Sequence, residues 1–336
     1  MAKRRALLVG AGGMGRGWGK NLVECDEVEL VAWVDIRRDS AESAAAELKL
    51  DIHTDDDLSR AIELARPDFV VDVTIPEAHH DVTLTALAAG LPVIGEKPLA
   101  TSMSEAREMV AASEKAGKLY MVSQSRRYDG RLQALRRLIV DHVGTPEILN
   151  SDFYIGAHFG GFCDEMPSPL LLDMAIHTLD AARYLSGADP VSVYCEEFNP
   201  SWSWYKGNVS ATALFEMTGG LRYTYSGSWC TEGRHTSWEG EWRAGGPRGT
   251  ATWDGHSEIK ADALDGDQGF HRPLKSFDGV PEKIHGGIAG SLRDFLHALD
   301  TGDTPMGECH DNIKSLAMVF AAIESAAIGR RIAVEI

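Results

Sequence analysis

The chain has 336 residues, 44% hydrophobic and 25% charged, which is ordinary for a folded protein and long enough for two domains. Its net charge of −17, from 33 basic and 50 acidic residues, repels nucleic acid and anionic membranes, so we expect neither as a partner. No apolar run reaches the roughly 18 residues of a spanning helix, and five scattered cysteines suit free thiols in a reducing cytoplasm. We therefore expect a cytoplasmic protein with a small-molecule partner.

The first 125 residues alternate between short apolar runs and helix-like stretches. The apolar runs, which predict strands, are Ala6–Val9, Val28–Val34, Asp68–Val73, Pro92–Ile94 and Leu119–Val122. The stretches between and after them, which predict helices, are Gly13–Glu24, Ser40–Leu48, Asp57–Ala65, His79–Ala89 and Ser104–Lys115. Continuously apolar strands that alternate with helices are typical of a doubly wound parallel sheet covered on both faces. We predict this α/β domain over residues 1–125.

The pattern changes after about residue 145. Ile148–Ile155 predicts a strand, and Ser168-Pro169 opens a helix to about Ser186, with proline in the first turn. Further strand-like runs, separated by glycine turns, are Val191–Phe198, Val209–Met217, Leu221–Trp229, Thr236–Arg243 and Gly249–Trp253. They predict an antiparallel sheet. The chain then continues with two predicted helices and a short apolar tail: Gly290–Thr301, Asn312–Ile328 and Arg331–Ile336. We therefore predict an α+β domain over residues 126–336.

A glycine-rich turn links the first predicted strand to the first helix. Gly10, Gly12 and Gly15 fit the pattern G-x-G-x-x-G, and Gly13 and Met14 complete the turn. In this strand-to-helix context the first glycine permits the tight turn, the second admits a pyrophosphate, and the third lets the helix pack on the strand. The free N–H groups of the helix N-terminus then face the phosphates. The turn predicts the dinucleotide-binding site of a Rossmann fold.

Asp35 ends the second predicted strand, twenty residues after Gly15. A carboxylate there accepts hydrogen bonds from the adenosine ribose and repels a 2′-phosphate, which favours NAD. Arg37 and Arg38 follow at once and could pair with a 2′-phosphate. We therefore expect NAD as the cofactor and keep NADP as the alternative.

Two further motifs carry candidate chemistry. Glu96-Lys97-Pro98 follows the strand Pro92–Ile94, and open α/β sheets bind ligands at the carboxyl ends of strands, so Lys97 should point toward the nicotinamide. Asp173, His177 and Asp180 are four and three residues apart and share one face of a largely apolar helix. We interpret that polar face as part of a site. The alternative is a zinc site, with Asp173, His177 and either His158 or Cys163 as ligands. We expect that the protein binds no metal.

These motifs together resemble the glucose–fructose oxidoreductase / inositol dehydrogenase (Gfo/Idh/MocA) family, and the resemblance covers essentially the whole chain. Thr74-Ile75-Pro76 with His80 resembles the cofactor-lining loop of the family. Gln124–Tyr128 and Ala327–Arg331 resemble its segments after the Rossmann domain and at the C-terminus. The resemblance implies a large open antiparallel sheet in the second domain and a homodimer or homotetramer formed through that sheet.

The resemblance also implies catalysis by Lys97, His177 and Asp173. We expect an NAD(P)-dependent oxidoreductase that interconverts a secondary alcohol and a ketone on a sugar, sugar derivative or cyclitol ring. His177 would be the general base and Lys97 would stabilise the substrate oxygen. The weaker candidates for the substrate pocket are Arg127, Tyr154 and His158.

One departure from the family pattern, and the range of functions that this fold supports, leave alternatives open. Many family members have glycines where this chain has Ser168-Pro169, and the preceding loop, Gly156–Pro167, changes the pocket lining. An imine, a diol of an aromatic ring or a biliverdin-like pigment therefore stays open as the substrate. A dinucleotide-binding regulator or sugar sensor without turnover is the alternative function.

Overall fold

The computed structural model describes residues 3–336. Its contacts form two compact units: residues up to Ser125 with His285–Ile313, and Arg126–Ile284 with Lys314–Ile336. The domains 1–125 and 126–336 remain a prediction; the contact units differ from them because residues 285–313 belong to the first unit. In that segment Phe295 packs on Phe69 with ring centroids 5.4 Å apart. No helix within the described residues is long and apolar enough to cross a membrane.

The first unit contains a six-stranded, all-parallel sheet in the order β3-β2-β1-β4-β5-β6. Its strands are β1 (Arg4–Val9), β2 (Val28–Val34), β3 (His53–Asp55), β4 (Phe69–Asp72), β5 (Val93–Gly95) and β6 (Tyr120–Val122). Its helices before residue 125 are α1 (Gly13–Glu24), α2 (Arg38–Glu47), α3 (Leu58–Ala65), α4 (Pro76–Ala88) and α5 (Met103–Ala116). The strand order reverses between β1 and β4, and doubly wound sheets bind ligands at the carboxyl edge beside such a reversal.

Strand β3 is a difference from the predicted elements. It has three residues and no large apolar side chain, so it carries no hydrophobic pattern. Its buried Asp55 is held by the guanidinium of Arg60, whose hydrogen bond keeps the pKa of the carboxyl well below its usual range. The strand forms the edge of the sheet beside β2.

The second unit contains a nine-stranded sheet in the order β14-β13-β12-β11-β7-β10-β9-β8-β15. The strands are β7 (Ile148–Tyr154), β8 (Pro190–Phe198), β9 (Ser210–Met217), β10 (Arg222–Ser228), β11 (Glu241–Gly246), β12 (Gly249–Trp253), β13 (Ile259–Leu264), β14 (Leu274–Asp278) and β15 (Ile332–Ala333). The helices of the remaining chain are α6 (Gly130–Leu138), α7 (Phe162–Glu165), α8 (Ile176–Ser186), α9 (Gly287–Thr301) and α10 (Cys309–Ile328). The pairing is antiparallel except between β7 and β10, which are parallel.

Two strand predictions need correction. The strand expected at Thr236–Arg243 begins only at Glu241, because Ser237 caps a turn and Gly240 has φ +73°. The sheet also continues through β13 and β14, which lie beyond the last predicted strand, Gly249–Trp253.

Candidate active site

The turn after β1 uses its glycines in two different ways. Gly10 has φ +98°, and a Cβ there would lie 2.3 Å from the Val73 carbonyl oxygen. A Cβ at Gly15 would lie 2.1 Å from the Gly10 carbonyl oxygen. At Gly12 and Gly13, by contrast, no atom of residues 3–336 lies within 4 Å of the Cβ position beyond the local backbone. Gly10 and Gly15 therefore set the shape of the turn, and the other two leave its outer side clear.

This geometry fits the pyrophosphate of a dinucleotide. Gly12, Gly13 and Met14 are exposed where helix α1 begins. The first N–H groups of a helix have no acceptor within the helix and carry a partial positive charge, so they bind phosphate oxygens. The residues present would therefore hold the pyrophosphate of NAD against the backbone of the turn.

We expect Gly12→Ala to weaken NADH binding roughly ten- to a hundredfold, because the methyl group occupies the space through which the pyrophosphate approaches. The variant should melt like the wild type, since its Cβ meets no atom within 4 Å among the described residues. Gly17→Ala on the same helix is the matched control, because its Cβ is equally unobstructed in the described chain. Fluorescence titration with NADH measures the difference, and equal affinities of the two variants would contradict this placement.

Asp35 follows β2 and fastens the glycine turn. Its Oδ2 accepts a hydrogen bond from the Ala11 N–H at 2.7 Å, and its Oδ1 accepts one from the Arg37 N–H at 2.9 Å. A carboxylate has about four acceptor positions, so it can still receive ribose hydroxyls. Arg38 pairs with Glu42 on helix α2 at 3.0 Å. Both arginines are exposed; because Arg38 pairs with Glu42, Arg37 is the one that a 2′-phosphate beside Asp35 would meet.

The loop after β4 contains Thr74, Ile75 and Pro76. Thr74 donates to Asp72 Oδ1 from its Oγ1 at 2.7 Å and from its backbone N at 3.1 Å. Pro76 occupies the first position of helix α4, where its missing N–H costs nothing. Ile75 is exposed at the carboxyl edge of the sheet. The parallel sheet thus brings this predicted cofactor loop to the same edge as the glycine turn.

The histidine chosen from the sequence for this loop makes other contacts. The ring nitrogens of His80 each lie 3.0 Å from a carboxylate, one of Asp81 and one of Glu108. The neighbouring His79 is buried and was not selected. Adjacent residues differ by about 100° around a helix, so the sequence alone did not indicate which histidine faces the loops.

Glu96 and Lys97 follow β5 directly. Glu96 is buried; it accepts a hydrogen bond from Trp18 Nε1 at 2.7 Å and one from the Lys97 N–H at 3.2 Å. Burial raises the pKa of the Glu96 carboxyl. Glu96 therefore connects this loop to helix α1, and Lys97, half-buried before a cis peptide bond to Pro98, lies at the carboxyl edge.

The helix predicted around Asp173 is not one regular α-helix. Leu170–Ala175 forms a π-helical segment, and α8 continues from it. Asp173 in the π-helical segment and His177 in the first turn of α8 are half-buried, whereas residues 174–176 between them are buried. Such π-helical turns occur often at functional sites. Lys97 belongs to the other unit, so the catalytic set of Lys97, Asp173 and His177 stays a prediction.

Asp180 differs from the predicted polar face because it is buried and paired with Arg127. Nε and Nη2 of Arg127 donate to its two carboxylate oxygens at 2.8 and 2.6 Å. Ser315 Oγ donates to Asp180 Oδ1 at 2.7 Å and accepts from Arg183 Nη1 at 3.0 Å. The guanidinium of Arg127, predicted to bind substrate, is thus engaged by this buried bidentate pair.

Tyr154 and His158 lie at the end of β7 and in the loop after it. The backbone N and O of Tyr154 bond to Thr236, each at 3.0 Å. The exposed ring of His158 stacks on Trp204 with centroids 3.7 Å apart, and its Nε2 lies 2.7 Å from Glu232 Oε1. Trp204 and Glu232 were missed because only the folded loops bring them beside His158.

Glu197 is a further carboxyl that the sequence analysis did not select. Ser168 Oγ, just before the π-helical segment, donates to its Oε2 at 2.9 Å. Burial raises the pKa of Glu197 from 4.5 to about 7. The carboxyl therefore titrates near neutral pH beside the start of the segment that carries Asp173.

We expect the melting temperature to fall between about pH 5 and pH 8 partly because of Glu197. The pKa of Glu197 is about 7 in the folded state and 4.5 in the unfolded state, so the folded state binds the proton more tightly. The stabilisation that results is fully present below pH 4.5 and is lost as the pH rises through about 7. Glu197→Gln should remove this part of the decline, and Glu196→Gln, an exposed neighbour, should retain it. Thermal melts across this range test it, and an unchanged decline in Glu197→Gln would contradict it.

Comparisons with known proteins agree with this architecture. A family model described as an oxidoreductase family with an NAD-binding Rossmann fold matches residues 4–124, and one described as the GFO/IDH/MocA C-terminal domain matches residues 103–252. D-apiose dehydrogenase of Paraburkholderia graminis is 26% identical to this chain. The alignment spans 98% of this chain and 89% of the dehydrogenase. Inositol 2-dehydrogenase of Serratia proteamaculans is 31% identical over 55% of each chain. An oxidoreductase of Agrobacterium radiobacter, solved with NAD⁺, L-tartaric acid and magnesium, has a TM-score of 0.89 at 22% identity over 99% of both chains.

The family models, together with the glycine turn, identify an NAD-binding oxidoreductase. The chain belongs to the Gfo/Idh/MocA family and is an NAD-dependent dehydrogenase. The predictions of family, fold class and NAD as cofactor are thereby confirmed.

Proposed function

We propose that the protein interconverts a secondary alcohol and a ketone on a sugar, sugar derivative or cyclitol ring. The observation that best supports this is the position of Lys97. It follows β5 at the same carboxyl edge as the glycine turn and the Thr74 loop, within one unit. An ammonium group at that edge is suited to hold a substrate oxygen close to the nicotinamide end of the cofactor.

Each proposed catalytic residue has a separate role. NAD, when bound, supplies the hydride chemistry at its nicotinamide ring. The imidazole of His177 takes the hydroxyl proton as general base, a task for which histidine is suited near neutral pH. The ammonium of Lys97 donates to the substrate oxygen and stabilises the negative charge that develops there. Asp173 accepts a hydrogen bond from a neighbouring hydroxyl and so orients the ring.

The relatives support a polyhydroxylated substrate. Two carry the names D-apiose dehydrogenase and inositol 2-dehydrogenase. Sugar hydroxyls are bound by polar side chains such as the half-buried Asp173 and His177. The faces of sugar rings are bound by aromatic side chains, which the His158–Trp204 stack supplies. Tyr154 and His158 therefore remain proposed substrate contacts beside the catalytic residues.

A spectrophotometric screen tests the proposal. Purified protein is assayed at 340 nm with NAD and with NADP against myo-inositol, D-apiose, aldoses, anhydrosugars and glycosides. We expect at least one polyol to reduce NAD, and NAD to be preferred because Asp35 repels a 2′-phosphate. NADH binding without turnover of any polyol would contradict the proposed substrate class.

We also propose a cytoplasmic homodimer or homotetramer formed through the outer face of the nine-stranded sheet. A polar groove runs across that face, lined among others by Asp152, Glu241, Arg243 and Lys260. Light scattering during size-exclusion chromatography measures the assembly. Arg243→Glu is expected to weaken it if this face is the interface.

A further inference from the structure

We propose that His79 is a positioning residue that ties two loops together, with both of its ring nitrogens donating hydrogen bonds. The first loop, residues 73–76 after β4, is called the cofactor loop; the second, residues 96–98 after β5, is called the lysine loop. The proposal rests on the proposed function for the roles of Thr74 and Lys97. It assigns His79 no contact with substrate or cofactor.

The hydrogen-bond geometry of His79 carries this inference. Its ring is buried; Nδ1 lies 2.8 Å from the Pro98 carbonyl oxygen and Nε2 lies 3.2 Å from the Thr74 carbonyl oxygen. A carbonyl oxygen only accepts hydrogen bonds, so each ring nitrogen needs a proton to make its bond. A neutral imidazole carries one N–H, and the imidazolium carries two. The imidazolium is therefore the form that satisfies both carbonyl groups.

Two buried carboxyl groups lie in the surroundings of His79. These groups, Asp72 at the end of β4 and Glu96 after β5, interact electrostatically with it. Burial raises the pKa of both carboxyls. Hydrogen bonds from a charged donor are about twice as strong as neutral ones. An imidazolium is thus a stronger donor to the Pro98 and Thr74 carbonyl oxygens than a neutral ring.

Each hydrogen bond anchors the backbone of one loop. The Pro98 carbonyl group lies one residue beyond Lys97, and the Thr74 carbonyl group belongs to the residue that also bonds to Asp72. Displacement of a reacting group by about 1 Å can cost a hundredfold in rate. A single buried ring that holds both backbones therefore fixes Lys97 relative to the cofactor loop.

Two conservative substitutions separate the two bonds. The amide nitrogen of asparagine takes the place of Nδ1, and that of glutamine takes the place of Nε2. His79→Asn should keep the bond to Pro98 and lose the bond to Thr74, so NADH affinity falls roughly tenfold and amide exchange rises in residues 72–78 only. His79→Gln should do the reverse: amide exchange rises in residues 95–101 only, NADH affinity stays, and kcat falls roughly tenfold.

His297 provides the matched control. It is an exposed histidine of the same unit, paired with Asp303 on the surface at 3.3 Å. His297→Asn and His297→Gln should leave amide exchange, NADH affinity and turnover at wild-type values. Equal loosening of both loops by both His79 variants would mean that His79 only fills space and would overturn the proposal, as would wild-type behaviour of both.

The experiment remains decisive if a variant does not fold or if the proposed function is wrong. Nitrogen-15 NMR of the histidine rings in the wild type should show both His79 nitrogens protonated, and a single proton would overturn the proposal. Amide exchange and NADH titration need no substrate, so they decide on His79 even if neither myo-inositol nor D-apiose is oxidised. Failure of the wild type in that assay counts against the proposed function alone.

Discussion

Lys97→Ala and His177→Ala are each expected to lower turnover by roughly a hundredfold or more, while NADH binding survives. His177→Ala removes the group proposed to take the hydroxyl proton. Lys97→Ala removes the charge proposed to stabilise the substrate oxygen. The glycine turn and Asp35, which are expected to hold the dinucleotide, stay intact in both variants. Initial rates at 340 nm and fluorescence titration with NADH measure the two effects separately.

Matched controls exist for both side chains. Lys118→Ala removes an exposed lysine from the first unit, and His256→Ala removes an exposed histidine from the second. Both proteins should turn over at the wild-type rate. Near-normal turnover of Lys97→Ala and His177→Ala would exclude these residues as the acid–base and electrostatic groups of the reaction.

Asp180→Ala is expected to destabilise the fold by about 3–5 kcal/mol, because it leaves the buried guanidinium of Arg127 without its bidentate carboxylate. Ser315 also loses the acceptor of its hydroxyl group. The free energy of unfolding in urea measures the loss. The effect should be one on stability, since these groups form a buried network and not the proposed reaction site.

Two comparisons define the cause of that loss. Glu165→Ala removes an exposed ion pair with Lys206, whose side chains are 58% and 71% exposed, and should cost less than about 1 kcal/mol. Replacing both members of the buried pair, as in Arg127→Met with Asp180→Leu, should recover much of the stability, because no charge is then left unpaired. A loss below 1 kcal/mol in Asp180→Ala would show that the buried pair is not essential to the second unit.

The first unit could be predicted from local patterns. Its central strands are buried on both faces, so their sequences are mainly apolar, as in residues 69–71 of β4. The glycine turn could be predicted because two of its glycines are sterically required: a side chain at Gly10 or Gly15 would collide with backbone carbonyl oxygens. Where one residue type is forced by geometry, the sequence shows it directly.

Other features could not be predicted because they depend on residues far apart in the chain. Arg127 and Asp180 pair across 53 positions, and neither shows in its own segment that it is buried. The π-helical segment before α8 has an ordinary apolar helical sequence, so its altered register is invisible in the pattern. Helix α9 shows an amphipathic pattern, which does not indicate that its residues belong to the first unit.

The double anchoring by Asp35 limits how the cofactor preference could be redesigned. A small neutral residue at this position removes the charge that repels NADP, and it also frees the Ala11 and Arg37 backbone groups that the two carboxylate oxygens bind. Such an enzyme is expected to lose affinity for both cofactors. A successful redesign therefore has to retain an acceptor for at least one of these N–H groups, as the amide oxygen of Asp35→Asn does, and draw the 2′-phosphate toward Arg37. Specificity and loop integrity are coupled in one side chain, so they cannot be changed independently.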